Sequence, residues 1–129
     1  QREDLVFGVA SESGLGVSEA VHERSHDVIG VDSDHYQLLR ETDEQEARAI
    51  VTSMMKNVDN SIYRAIRLHR QGELPYGEAE VLGLQENGVG LARNENFDRI
   101  VPDDVVERID ELIAQVENGE IQVETALGN

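Results

Sequence analysis

The sequence predicts an α/β domain: a three-layer sandwich built on a mainly parallel sheet. Three observations predict it. Two short apolar runs, Leu5-Val6-Phe7-Gly8-Val9-Ala10 and Val28-Ile29-Gly30-Val31, are bounded by polar residues and too short for helices. Between them lies a helical apolar pattern, so the order is strand, helix, strand within about thirty residues, the spacing of a right-handed βαβ unit. The second run then ends abruptly in Asp32 and Asp34, at the strand end beyond which open parallel sheets hold their ligands.

At 129 residues the chain suits one domain with a real core. It is 39% hydrophobic but only 4% aromatic, so the core must be aliphatic. No run of eighteen apolar residues is present to cross a membrane. Gln1-Arg2-Glu3-Asp4 does not read as a signal peptide. A start without Met, at the edge of a strand, suggests a piece of a longer protein. With no cysteine, disulfides and thiolate metal sites are excluded.

Charge is the strongest compositional signal. Twenty-seven acids against eleven bases give a net charge of −16, which repels nucleic acid and anionic membrane. Disorder fits poorly with the clear apolar periodicity. An acidic face for a cationic partner is a second reading. The acids, however, are spread along every segment, as expected of adaptation to high salt, where screening weakens self-repulsion. Ten of the eleven bases are Arg, and Lys56 is the only lysine.

In chain order, the first strand runs into the small-residue turn Ser11-Glu12-Ser13-Gly14-Leu15-Gly16. A helix follows, with Leu15, Val17, Ala20 and Val21 on its apolar face. After the second strand, His35 to Gln45 is polar and reads as a loop over the sheet edge. From Glu46 to Gln71 the apolar spacing predicts one long helix, stopped by Gly72 and Pro75. Glu80 to Leu84 reads as a strand, Glu86-Asn87-Gly88 as a turn, and Val89 to Ala92 as a short return strand. Arg93 to Ile100 reads as a loop. Pro102 opens a helix with Asp103 and Asp104 in its first turn, and Val105, Val106, Ile109, Leu112, Ile113 and Val116 form its buried stripe. Asn118-Gly119 ends it, Ile121 to Val123 is a last short strand, and Thr125 to Asn129 is tail.

Three places can carry chemistry. Gly14-Leu15-Gly16 after a strand partly matches a dinucleotide-binding turn, but the third glycine's position holds Glu19, and Glu12 opposes a pyrophosphate. The glycines equally serve a tight strand-to-helix turn, or contact with a small ligand. Asp32 and Asp34 stand on alternate positions and point the same way if strand geometry continues. Such a pair can bind a metal, act as acid and base, accept hydrogen bonds from a diol, or be two solvated loop acids. No further ligand at regular spacing supports a metal, and His22, His26, His35 and His69 form no cluster. Lys56, read as lying within the long helix, is either a chance survivor paired with Asp59 or a functional ammonium that arginine cannot replace.

With these residues in place, the chain resembles the basic membrane protein family. These are PnrA-like substrate-binding lipoproteins, the purine-nucleoside receptors of ABC transporters, related to type I periplasmic binding proteins. Val28-Ile29-Gly30-Val31-Asp32-Ser33-Asp34 is similar to the family's V-I-G-V-D-S-D-Q, with His35 in place of Gln. Thr52-Ser53-Met54-Met55-Lys56-Asn57-Val58-Asp59 resembles its T-S-M-x-K-x-V-D. Gly83-Leu84-Gln85-Glu86-Asn87-Gly88-Val89-Gly90-Leu91-Ala92 resembles its G-L-x-x-x-G-V-G-L-A. At the glycine turn the family has G-G-S/T-G-x-G-V-F, where this chain has Ser11-Glu12-Ser13-Gly14-Leu15-Gly16-Val17-Ser18. The added side chains narrow that part of a pocket.

The resemblance implies one domain over 1–129, the C-terminal lobe of a two-lobe clamp without its N-terminal lobe. It implies a nucleoside-like ligand, no enzymatic activity, no cofactor, and an ABC permease as partner of a membrane-anchored, extracytoplasmic lipoprotein. Asp32 would hold ribose hydroxyls and Lys56 would also reach the ligand. Ser11, Ser13 and Gly14 would line the pocket floor, with Asp34 a secondary contact. Half a clamp encloses little surface, so these residues alone are expected to bind weakly or not at all, and a second copy of the chain could cover the exposed lobe face. The rival readings are a ligand-sensing regulatory protein reusing the lobe, and a nucleotide-dependent enzyme, for which no catalytic residue is found.

Overall fold

A computed structural model describes residues 5–9 and 26–124. Within them a four-stranded sheet, its strands neighbouring one another in chain order, carries the fold. Its strands are β1 (Leu5–Phe7), β2 (Asp27–Asp32), β3 (Ile50–Lys56) and β4 (Val89–Leu91). β1, β2 and β3 run parallel, and β4 joins β3 antiparallel. The expected mainly parallel α/β sheet is therefore present. The helix expected after the first strand lies outside the described residues, as do the turn at Ser11 to Gly16 and the tail.

The centre of the sheet is the buried pair Val28 and Ile50, packed by Val6, Tyr36 and Leu39. Burying each of these two side chains is worth about 1.5–3 kcal/mol. Val28 faces Ile50 while Ile29 faces Thr52, which leaves Val51 as the extra residue of a bulge. β1, expected to be buried, forms an edge among the described strands, with Leu5 and Phe7 exposed.

Two short helices, α1 (His35–Leu39) and α2 (Glu44–Ala47), replace the loop expected over His35 to Gln45. Each opens on an aspartate cap. The Asp34 carboxylate accepts from the Gln37 N–H, and that of Asp43 from the N–H groups of Gln45 and Glu46. The surrounding polarity hid two apolar residues, Tyr36 and Leu39, that pack on the core.

The largest correction concerns Glu46 to Gln71. Ile50 to Lys56 is strand β3, and the helix there, α3, covers only Val58–Gln71. Lys56 therefore closes a strand and is not a helical residue. Apolar residues at 50, 51, 54 and 55 suit both periods, and a short apolar run cannot separate buried strand from helix by spacing alone. Pairing on both sides decides for the strand, with β2 on one flank and β4 on the other. The left-handed Gly72 ends α3, as expected.

Glu80 to Leu84 forms no strand. Glu80 pairs with Arg64 at 2.8 Å, and the Gly83 N–H donates to the Glu86 carboxylate at 2.9 Å, which curls the segment into a turn. The return strand β4 therefore has no hairpin partner there and pairs with β3. Glu95–Ile100, expected as loop, is helix α4, capped by Asn94 and anchored by the buried Phe97. α5 (Asp103–Glu117) starts and ends as expected, but its stripe is only partly covered, and Val105 and Leu112 are exposed. Ile121 to Val123 is irregular and not a strand. Among the described residues no helix is long and apolar enough to cross a membrane.

Candidate functional site

β2 and β3 are parallel neighbours, so their carboxyl ends share one edge of the sheet. Asp32 ends β2 opposite Met55, one residue before Lys56 ends β3. The Lys56 Nζ lies 3.6 Å from the Asp32 Oδ1, and their side chains are 63% and 41% exposed. The pair thus stands at solvent, with its charges available to a ligand. An exposed pair of this kind is worth only about 0–1 kcal/mol to the fold.

The backbone under Asp32 is unusual. Its φ is +71°, in the left-handed region, and the Ser33 N–H donates to the Val31 carbonyl at 2.9 Å across it. A three-residue turn of that hand is rare and strained for a residue with a side chain, at a cost of about 1–3 kcal/mol. Aspartate tolerates this region better than most residues. The turn breaks strand geometry, so the alternation that would have aimed Asp32 and Asp34 alike does not continue.

Asp34 is engaged elsewhere. Beyond capping α1, its two oxygens accept from the Asn94 Nδ2 at 2.9 and 3.0 Å. The same Asn94, buried, accepts from the N–H groups of Asn96 and Phe97 with its Oδ1. One amide therefore ties the start of α4 to the start of α1, beside Asp32. The signal for it was an Asn directly before an acidic first turn, the pattern of a helix cap. That its amide would reach Asp34, sixty residues away, was not readable.

His35 follows, buried, with its N–H donating to the Ser53 Oγ at 3.2 Å. Gly30 is what lets them pack. A Cβ there would lie 2.5 Å from the Ser53 Oγ and 2.8 Å from the His35 Cγ. On the other flank, Asn57 and Asn60 each donate to the Asn87 carbonyl at 3.1 Å, holding the 86–88 turn beside Lys56. Asn87 itself has a positive φ of +54°.

The structure thus brings Asp32 and Lys56 together, places Asp34 next to them but bound to Asn94, and leaves Ser11, Ser13 and Gly14 outside the described residues. Among the described residues no three His, Asp or Glu side chains gather as a metal would need. What the edge offers is one carboxylate able to accept from two neighbouring hydroxyls, and one ammonium able to donate.

This is an α/β lobe of the type found in solute-binding proteins, and solved structures share it. The fold matches a transcriptional activator of the comK gene from Bacillus halodurans with a TM-score of 0.76 at 21% identity, covering 94% of this chain and 39% of that one. ABC transporter system solute-binding proteins from Aeropyrum pernix K1 and Conexibacter woesei DSM 14684 match with TM-scores of 0.69 and 0.64, at 22% and 21% identity. They cover 94% and 93% of this chain, and 40% and 37% of theirs.

Residues 2–126 match the family model of the PnrA-like ABC transporter substrate-binding proteins, Bmp, and the chain belongs to that family. It is also 36% identical over 97 residues to Basic membrane protein D of Borreliella burgdorferi (strain JD1), across 73% of this chain. The chain spans only 26% of that relative's length.

Proposed function

We propose that this chain is one lobe of a solute-binding component of an ABC importer, and that it holds a nucleoside or another ribose-containing small molecule at the Asp32–Lys56 edge. The observation that carries the reading is the pair itself: a strained acid 3.6 Å from the chain's only lysine, at the carboxyl ends of two parallel strands. Asp32 accepts from the 2′ and 3′ hydroxyls, which sit close enough to share one carboxylate. Lys56 lies beside the Asp32 carboxylate in the empty state, then donates to a ring or hydroxyl acceptor of the ligand. In this reading Asp34 supports the site through Asn94, and Ser11, Ser13 and Gly14 complete the pocket floor.

The proposal extends to the parent protein: an N-terminal lobe closing over this edge, an extracytoplasmic lipoprotein anchor, a permease partner, and no catalysis. Family membership supports each of these. The likeness to a protein described as a transcriptional activator favours a sensing role as a second reading, through the fold alone.

A single lobe encloses little ligand, so binding by this chain is expected in the millimolar range, about 4 kcal/mol. Amide chemical shifts followed during titration with adenosine, inosine and ribose test it. The expected result is saturable shifts confined to 11–14, 30–34 and 55–57, lost in Asp32→Ala. Equal shifts in wild type and Asp32→Ala, or none with any ribose compound, would overturn the site.

A further inference from the structure

A second surface stands apart from the ligand edge. Along α3, Val58, Ile62 and Ile66 are 51%, 56% and 56% exposed, and Tyr63 beside them is 70% exposed. Their spacing of four residues makes a continuous apolar ridge over more than two turns. Three large aliphatic side chains in a row on one solvent-facing helix are more than the scattered exposure normal for a surface. Tyr63, Ile66, Arg67, Arg70 and Gln71 line one shallow groove along this helix.

Charge selects what can cover the ridge. In a chain of net charge −16, two copies repel through most of their surface. α3 is the exception among the described helices, with three arginines against the single acid Asp59. α5, by contrast, sets six acids against Arg108. Arg64 is committed to Glu80 at 2.8 Å, while Arg67, Arg70 and Asp59 make no ion pair among the described residues. The unpaired acid lies in the first turn of α3 and the unpaired bases lie in its second half.

We propose that α3 is a self-docking surface, on which a second copy of this chain packs its own α3 antiparallel across a two-fold axis near Ile62. That arrangement is self-complementary, as a two-fold interface must be. It lays Val58 of one copy against Ile66 of the other, sets Asp59 beside the facing Arg67, and opposes the two helix dipoles head to tail. The ridges are those of helices crossing through their four-residue rows, at an axis separation of about 8–10 Å. The interface forms where the acidic chain is least repulsive, and it does not use Asp32 or Lys56.

Sedimentation velocity over micromolar to submillimolar protein, in half-molar NaCl, tests the proposal independently of any ligand. The expected result is a concentration-dependent monomer–dimer equilibrium, weakened at least about tenfold by Ile62→Glu. That position is exposed, and unchanged far-ultraviolet circular dichroism shows that the variant folds. Asp59→Arg and Arg67→Asp should each weaken the dimer, and the double exchange should restore it. Because the chain has no cysteine, Ile62→Cys should cross-link to a covalent dimer under mild oxidation, while Val105→Cys on α5 should not. A monomer at every concentration, a dimer that survives Ile62→Glu, or a charge exchange that fails to rescue would each overturn it.

Discussion

Asp32 and Lys56 meet at 3.6 Å although they lie on different strands, because the bulge at Val51 and the parallel register bring the ends of β2 and β3 level. The contact contributes little to the fold, yet Asp32 is held at a φ of +71°. Stability and site geometry therefore pull in opposite directions at this residue.

That opposition can be measured. Asp32→Gly removes the side chain from a left-handed position and should raise the unfolding free energy by roughly 1 kcal/mol, less whatever the Lys56 pair contributed. Asp32→Val, which keeps a branched side chain at positive φ, should lower it by at least about 1 kcal/mol. Urea unfolding of the two variants gives the comparison. Equal stability for both would mean the turn carries no strain.

Asn94 offers a second measurement, on how the site is supported. Asn94→Ala removes the α4 cap, at about 1 kcal/mol, together with two hydrogen bonds to the Asp34 carboxylate, for a total loss of about 2–3 kcal/mol. Asp34→Ala should lose a similar amount. The double variant should lose clearly less than the sum, because both single changes break the same contact. Full additivity in urea unfolding would show that the two residues act separately.

These two positions also show what was legible in the chain. The β2 stretch and its terminal acid were readable because a four-residue apolar run flanked by polar residues is too short for a helix and too apolar for a surface loop. The parallel pairing of β1 and β2 followed from the strand–helix–strand spacing. β3 was not readable. Ile50, Val51, Met54 and Met55 fit a helical stripe joined to α3, and only the neighbouring strands make the segment extended. Lys56 therefore stands out in the sequence by its rarity and by the family-like stretch around it, while its place at a strand end and its closeness to Asp32 come from the sheet. Asn94 is readable as a helix cap, but its tie to Asp34 is not, because that partner is sixty residues away.

Tyr36 gives a pH-dependent test. Partial burial of the phenol, reinforced by the Glu95 carboxylate that accepts its hydrogen bond at 3.1 Å, raises its pKa above the ordinary 10.0, although Arg40 nearby opposes the shift. The folded state therefore holds this proton more tightly than the unfolded state. The contribution is fully present below pH about 10, and it is lost as pH rises through the higher folded value. Ultraviolet titration should show a late-ionising phenol component, and Tyr36→Phe should remove it. The variant should also lose less stability than wild type as pH rises above about 10. A wild-type curve with all three phenols at the ordinary value would contradict the assignment.

Salt should act on the whole molecule. With 27 acids and 11 bases, the folded chain concentrates negative charge that the unfolded chain spreads out, so screening favours the compact state. The Debye length falls from about 10 Å at 0.1 M to about 3 Å at 1 M, shorter than most distances between neighbouring acids on a surface. A gain of about 2 kcal/mol over that range would raise Tm by roughly 10 °C for a chain of this size. Dilute protein keeps self-association from adding to the shift. Sucrose at matched osmolality serves as the control, because exclusion from the surface also stabilises but does not screen. If the acids are an adaptation to high salt, most of the NaCl effect should appear below 1 M and exceed that of sucrose. A Tm that stays flat between 0.1 and 1 M NaCl, or falls, would instead leave the acids to the other reading, a face for a cationic partner.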